Sequence, residues 1–168
     1  MEFKFTEKEE RLRKDIKEFA LNELPPHWEG SPENFFHDDA TWNSVRAILR
    51  KTAKRGWLTM SWPKEYGGQA ATEIEQTIYQ EEAGYYGIPI DMGIGGVTWV
   101  GPTLVRFGTP EQRKEHLPYI AAGERVWCTG YSEPGAGSDL AALQTRAVRQ
   151  GDDYVVNGQK IFVGGEHV

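Results

Sequence analysis

The chain has 168 residues, and its 25 acidic and 19 basic side chains give a formal net charge of -6. This balance argues against a protein that binds nucleic acid duplexes, because such a protein needs lysine and arginine clustered on one face. No run of about 18 apolar residues is present, so the sequence predicts no membrane span. The amino-terminal segment is charged, unlike a signal peptide, and we expect a cytoplasmic protein. We expect no structural metal, because no spacing of cysteine and histidine suits zinc.

The first helices are indicated by apolar residues that recur on one face. Residues 6–24 predict an amphipathic helix, which Thr6 opens at capping-box spacing and Pro25 stops. A second apolar stripe covers residues 42–53, and Gly56 is placed to cap its C-terminal end.

Three further helical segments are predicted up to residue 122. Thr72 opens a helix over 72–85 with another capping-box pattern. The apolar, glycine-rich segment 87–108 is interpreted as one buried helix. The last helix covers residues 109–122, since Pro110 stands at the first helical position, where proline is favoured.

Strand patterns replace helical ones from about residue 123. Residues 126–131 predict one strand, in which Cys128 is a small core residue, and the alternation over 143–148 predicts another. Asn157-Gly158 predicts the tight turn of a hairpin between 154–156 and 161–163, because this dipeptide suits positive φ angles.

These elements predict an α+β chain. An all-helical N-terminal domain covers residues 1–122, and the first strands of an antiparallel β domain cover residues 123–168. The β domain is left with an open edge, so we expect that another chain completes it or that the sequence is a fragment.

The densest chemical signal is the stretch from Thr129 to Asp139. Gly135 and Gly137 allow backbone N–H groups to approach a ligand and point at an anion, and Ser132 and Ser138 add hydroxyl groups. The spacing is not the dinucleotide fingerprint, because a leucine occupies the third glycine position. From the residues alone, two interpretations of the loop are equally supported, namely a structural turn and a phosphate-binding loop.

The segment Tyr131–Asp139 resembles the signature of the acyl-CoA dehydrogenase family. Further segments resemble the same family in the same order, namely Trp57, Pro63–Gly68, Phe107–Arg113 and Asn157–Lys160. Because they are spread over the whole chain, chance is a poor explanation. The resemblance implies a helical domain, a middle β domain and a second helical domain, of which this sequence contains the first and part of the second.

The resemblance also implies bound FAD and a reaction in which a base removes a proton beside a thioester while hydride passes to flavin N5. The cofactor-binding residues carried over by position are Thr129, Tyr131, Ser132, Gly137, Ser138, Phe162 and Gly164. Ser138 would also approach the acyl-CoA, and Phe162 matches the aromatic residue that shields the flavin. Gly164 departs from the family, which usually has a hydroxyl residue there. Glu133 is interpreted as a residue that fixes the loop and not as a base.

Asp91 is a lone carboxylate within the apolar segment 88–94. The resemblance places this segment along the acyl pocket, where a raised pKa would suit proton abstraction, so Asp91 is our catalytic and substrate-binding candidate. The alternative is an N-cap for the following helix. Family members that act on alicyclic acids use an extra aspartate in this region, which implies a ring-shaped acyl group as one candidate substrate. The family's usual catalytic glutamate lies outside this sequence.

The resemblance therefore implies an FAD-dependent acyl-CoA dehydrogenase that passes electrons to an electron-transfer flavoprotein or a similar acceptor. An acyl-CoA oxidase and a flavin-less, non-catalytic subunit are the alternatives. The open β domain, together with the family's flavin site between subunits, predicts a homo-oligomer, specifically a homotetramer. No nucleic acid or membrane partner is expected.

Overall fold

The computed structural model describes residues 4–28, 30, 38–90 and 95–163. Its contacts divide the chain into a helical unit, which ends at Trp127, and a hairpin unit, which begins at Cys128. The predicted fold class is confirmed, since helices are followed by the start of an antiparallel sheet. Within the described residues, no helix combines the length and the apolar character that crossing a membrane requires.

Helix α1 covers Glu7–Glu23, and its predicted capping box is confirmed. The Thr6 hydroxyl accepts from the Glu9 N–H at 3.3 Å, and the Glu9 carboxylate accepts from the Thr6 N–H at 2.7 Å. These bonds satisfy two of the N–H groups that a helix start leaves without intrahelical partners. The helix ends just before the two prolines, which cannot continue its hydrogen bonding.

Helices α2, Asp39–Lys54, and α3, Glu73–Tyr86, also follow the predicted stripes. Asp38 caps α2 by accepting from the Thr41 N–H at 2.7 Å, a cap that the apolar pattern did not indicate. Gly56 lies just past α2 with a φ of 69°, as its predicted role at the helix end requires.

The main core of the helical unit brings together side chains from α1, α2 and α3 and from the loop after α2. The ring of Trp57 is 5% exposed and meets the ring of Phe19 edge-on, with centroids 5.4 Å apart. Other members of this cluster are Ile16, Ala20, Ile48, Met60, Ile78, Tyr79, Ala83 and Ile88. Complete burial of one such aliphatic side chain stabilises the fold by roughly 1.5–3 kcal/mol, so this cluster contributes substantially to the stability of the unit.

The prediction of one buried helix over 87–108 is wrong in its start and in its burial. Within the described part, the helix begins as a π-helical turn, Gly95–Val100, and continues as α4, Gly101–Phe107. One side is exposed, since Phe107 is 75% accessible. Close packing requires glycine at position 101, because a Cβ there would lie 1.9 Å from the ring of Trp62. The next helix, α5, covers Pro110–Ala121 with Pro110 at its predicted first position, and the Thr109 hydroxyl caps it by accepting from the Gln112 N–H at 3.3 Å.

The hairpin unit contradicts two strand predictions. Residues 126–131 are not in a strand, and Cys128 is exposed. The described strands are β1, Arg146–Gln150, and β2, Asp153–Asn157, which pair antiparallel with Gln150 opposite Asp153. The predicted segments 143–148 and 154–156 overlap them, whereas 161–163 is not a strand.

The hairpin turn is therefore Gly151-Asp152 and not Asn157-Gly158. Gly151 has a φ of 66°, which supplies the positive φ that a two-residue turn with glycine first requires. Asn157 is paired with Arg146 in the ladder. Gly158 has a different role, because a Cβ there would lie 2.1 Å from the hydroxyl oxygen of Thr145. Close contact, and not turn geometry, requires this glycine.

Candidate functional site

The glycine-rich loop of the hairpin unit is built around a tight turn. The Glu133 N–H donates to the Ala136 carbonyl at 2.8 Å, and the Ala136 N–H donates back to the Glu133 carbonyl at 3.1 Å. Pro134 and Gly135 form the tip between these two bonds. The methyl group of Ala136 is buried, with 3% exposure, so the turn is anchored as well as closed.

The carboxylate of Glu133 fixes this loop to two other segments. One oxygen accepts from the Gln144 N–H at 2.7 Å. The other accepts from the Thr145 N–H at 3.0 Å and from the Lys160 ammonium group at 2.9 Å. The side chain of Glu133 is 7% exposed, so a buried charge is compensated by three donors. The interpretation of Glu133 as a loop-fixing residue is confirmed.

These neighbours lower the pKa of Glu133 from its ordinary value of 4.5 to about 2. The largest contribution comes from the neighbouring hydroxyl of Thr145, followed by the Gln144 N–H and the Lys160 ammonium group. Glu133 is therefore ionised at neutral pH and is unsuited to accept a proton from a substrate.

Two further bonds join the loop to the segment that follows β2. The Lys160 ammonium group donates to the Tyr131 carbonyl at 3.1 Å, and the Ile161 N–H donates to the Ser132 carbonyl at 2.9 Å. The next residue, Phe162, has a φ of 54° and is 90% exposed. A left-handed backbone is uncommon for an aromatic residue, and such strain persists only where the surroundings enforce it.

The exposed part of the loop fits the phosphate groups of a nucleotide cofactor. A Cβ at Gly135 or Gly137 would meet no other atom within 4 Å, and neither residue has a positive φ. The fold itself therefore does not require glycine at these positions. In the described part of the chain, the N–H groups of Gly137 and Ser138 have no acceptor. Accessible, unpaired N–H groups without side-chain obstruction are what an anion binds.

The predicted cofactor residues that are described lie on two joined segments of the hairpin unit. Thr129, Tyr131, Ser132, Gly137 and Ser138 belong to the loop, and Phe162 belongs to the joined segment. Tyr131 is 63% exposed, and Ser132 is half-buried. Asp91 and Gly164 lie outside the described residues, so their predicted roles remain predictions.

Sequence reasoning missed the part that Lys160 plays. It belongs to the Asn157–Lys160 segment that carried the family resemblance, but it was given no role there. A signal was present, because a carboxylate in a glycine-rich loop needs a cationic or N–H partner if it is buried. The distance of 27 residues between Lys160 and Glu133 hides the pairing from local patterns.

Comparison with known proteins agrees with this geometry. The sequence profile of the acyl-CoA dehydrogenase N-terminal domain matches residues 6–124, and the profile of the middle domain matches residues 128–167. The acyl-CoA dehydrogenase FadE26 of Mycobacterium tuberculosis is 40% identical over 162 residues, which is 96% of this chain and 40% of FadE26.

Two solved structures are similar over almost the whole chain. The Tcur3481-Tcur3483 steroid ACAD has 39% identity and a TM-score of 0.80, with 96% of this chain and 41% of that chain covered. The acyl-CoA dehydrogenase complexed with FAD from Bacillus anthracis has 26% identity and a TM-score of 0.70, with 95% and 27% covered.

A helical domain followed by the start of a β domain with a glycine-rich loop thus defines the class of protein. The chain belongs to the acyl-CoA dehydrogenase family, whose members are oxidoreductases acting on CH–CH groups. It spans about 40% of the length of FadE26.

Proposed function

We propose that this chain is the N-terminal part of an FAD-dependent acyl-CoA dehydrogenase. The observation that carries the proposal is the open loop at Gly137 and Ser138. The N–H groups of these two residues are unpaired, as in a site that binds an anion. Membership of the family supports FAD as that ligand, as does the relative from Bacillus anthracis that was solved with FAD.

The hairpin unit would hold the cofactor through both of its joined segments. Gly137 and Ser138 would bind the pyrophosphate through their N–H groups, and Tyr131 and Ser132 would border the isoalloxazine ring. Phe162, which is 90% exposed, would cover the ring and exclude water. Thr129 would also border the ring. At position 164, glycine would lack the side-chain hydroxyl that the family usually has there. FAD, when bound, supplies the oxidant that takes up the hydride.

The substrate of the proposed reaction is an acyl-CoA thioester. Ser138 would contact it through its side-chain hydroxyl, which has no hydrogen-bond partner among the described residues. Asp91 would act as a base in the acyl pocket, and an alicyclic acyl group would suit that position. A ring-shaped substrate is further supported by the similar structure described as a steroid ACAD. The electron acceptor would be an electron-transfer flavoprotein or a similar protein.

Flavin binding by the purified full-length protein, of which this chain would be the N-terminal part, tests the proposal. After incubation with FAD and removal of the free cofactor, we expect the visible absorbance of bound flavin. A colourless protein that cannot be reconstituted would reject the dehydrogenase and leave the non-catalytic subunit as the better interpretation.

A second measurement separates the dehydrogenase from an acyl-CoA oxidase. The flavin-loaded full-length protein should turn over acyl-CoA rapidly with an electron-transfer flavoprotein and slowly with oxygen. Equal or faster turnover with oxygen would identify an oxidase.

A further inference from the structure

Lys160 crosses the glycine-rich loop of the hairpin unit from one side to the other. Its aliphatic stem lies over Gly130, where an added Cβ would be 3.3 Å from Lys160 Cγ. Its ammonium group then reaches the Tyr131 carbonyl at 3.1 Å and the Glu133 carboxylate at 2.9 Å. One side chain therefore touches three of four consecutive loop residues.

The partner of Lys160 is itself fixed in place. Glu133 accepts from the Gln144 and Thr145 N–H groups, which come directly before β1. These two bonds hold its carboxylate independently of Lys160. Charge-assisted hydrogen bonds to a fixed, nearly buried carboxylate are short and directional. Lys160 is thus bound to an anchored partner, unlike a lysine in an ordinary surface ion pair.

The contacts of Lys160 affect the backbone of the two residues that follow it, Ile161 and Phe162. Ile161 donates its N–H to the Ser132 carbonyl, and Phe162 takes a left-handed φ of 54° with 90% of its side chain exposed. An exposed aromatic residue gains nothing from burial that would offset this backbone strain. The strain must be maintained by neighbouring contacts, and those of Lys160 and Ile161 are the nearest along the chain.

We propose that Lys160 is a positioning residue, which holds the Ile161–Phe162 segment against the Tyr131–Ser132 backbone and so sets the place of Phe162 beside the flavin. This inference rests on the proposed function, because the flavin is what gives the position of Phe162 a purpose. Lys160 acts through the backbone and does not need to touch the cofactor.

The test compares Lys160→Met, which keeps the stem but removes the ammonium group, with Lys160→Arg, which keeps charge and donors. Arg149→Met is the matched control, since Arg149 lies in the same unit and forms an exposed ion pair with Asp152 at 4.0 Å. The first measurement is the hydrogen-exchange rate of the Ile161 amide in the flavin-free protein, detected by NMR. The second is the visible circular dichroism and iodide quenching of flavin bound at saturating FAD.

In Lys160→Met, the Ile161 amide should exchange at least about tenfold faster, as expected for loss of a charge-assisted hydrogen bond that holds its segment. The β1 and β2 amides should keep their rates. Bound flavin should be quenched more strongly and show altered circular dichroism. Lys160→Arg should recover most of both signals, and Arg149→Met should change neither.

A merely structural role would lower the melting temperature of Lys160→Met but leave the Ile161 exchange rate and the spectrum of bound flavin as in the wild type. That result would overturn the inference. If Lys160→Met does not fold, Glu133→Gln decides by the same two measurements, because it weakens the partner while keeping its shape. If the wild-type protein binds no FAD, the proposed function fails and the flavin role fails with it. The exchange measurement then reports separately whether Lys160 holds the segment.

Discussion

Glu133 shows how a buried charge can hold together chain segments that are far apart in sequence. Its three donors come from Gln144, Thr145 and Lys160, which lie 11 to 27 residues away. Because each bond is made to an ionised carboxylate, the arrangement depends on that group staying deprotonated. The loop geometry is therefore coupled to pH.

We expect acid to weaken the hairpin unit through this one group. The pKa of Glu133 is lowered from 4.5 to about 2, so its contribution to stability is complete above pH 4.5 and is lost as pH falls towards about 2. Glu133→Gln should remove this pH dependence and make the unit less stable at neutral pH. Following the Gln144 and Thr145 amide signals by NMR during acid titration measures the pH dependence in the wild type and in the variant.

Asp152→Asn is the control for this titration, since Asp152 is an exposed carboxylate of the same unit. In this variant, the Gln144 and Thr145 amide signals should change with pH as they do in the wild type. If Glu133→Gln also follows the wild type between pH 4.5 and about 2, Glu133 does not carry the acid response.

Gly137→Ala should weaken FAD binding without destabilising the fold. A methyl group there meets no atom of the chain within 4 Å and needs no unusual φ, but it would obstruct an anion that approaches the N–H groups. Gly84→Ala is the control, because an added Cβ there also meets no other atom within 4 Å and the residue lies in helix α3 of the helical unit. Flavin fluorescence titrations and melting curves measure both effects. Equal FAD affinity for the wild type and both variants would contradict the assignment of Gly137.

Asp91→Asn in the full-length enzyme tests the proposed base. General-base assistance is typically worth about 10²–10⁴ in rate, so turnover of cyclohexene carboxyl-CoA should fall by that order while FAD content and melting temperature stay nearly unchanged. The opposite result, with activity kept and stability lowered by about 1 kcal/mol, would identify Asp91 as a helix cap.

Helix α3 illustrates an element whose start is determined locally. The Glu75 N–H donates to the Thr72 hydroxyl at 3.3 Å, and the Glu75 carboxylate accepts from the Thr72 N–H at 2.9 Å. Lys8 of α1 forms an ion pair with the same carboxylate and is the largest cause of its lowered pKa. The capping box therefore also ties α3 to α1.

Thr72→Ala should lower the free energy of unfolding by about 1 kcal/mol, the usual effect of losing an N-cap. Thr77→Ala is the control within the same helix, since its hydroxyl only donates to the exposed Glu73 carbonyl at 2.9 Å. That variant should stay within about 0.5 kcal/mol of the wild type. Urea unfolding of both variants gives the comparison, and equal stabilities would show that the cap contributes nothing.

The elements also show why three helix starts were predictable and the position of the hairpin turn was not. Thr6, Thr72 and Thr109 begin their helices through bonds to residues three positions ahead, so the signal is local. The hairpin turn has Gly-Asp and Asn-Gly as competing candidates within a few residues, and strand pairing decides between them. The close contact between Gly158 and Thr145, which excludes a side chain, is invisible in a linear pattern.

For the whole molecule, the exposed hairpin is the feature that bears on assembly. Every residue of β1 and β2 is exposed, including the apolar Val148 and Val156. Such a surface needs covering, which the rest of a longer chain or a second subunit can supply. From the family resemblance we predict a homo-oligomer, a tetramer in the case of the full-length enzyme. Light scattering on the flavin-loaded protein measures the mass, and a stable, flavin-loaded monomer would contradict the prediction.

The division into two units has an optical consequence. All six tryptophans, Trp28, Trp42, Trp57, Trp62, Trp99 and Trp127, belong to the helical unit, whereas the hairpin unit from Cys128 onward has tyrosine as its only strong ultraviolet emitter. Tryptophan emission excited at the red edge of its band therefore originates in the helical unit alone. The hairpin unit contains no tryptophan, so tyrosine signals from Tyr131 and Tyr154 report on it directly.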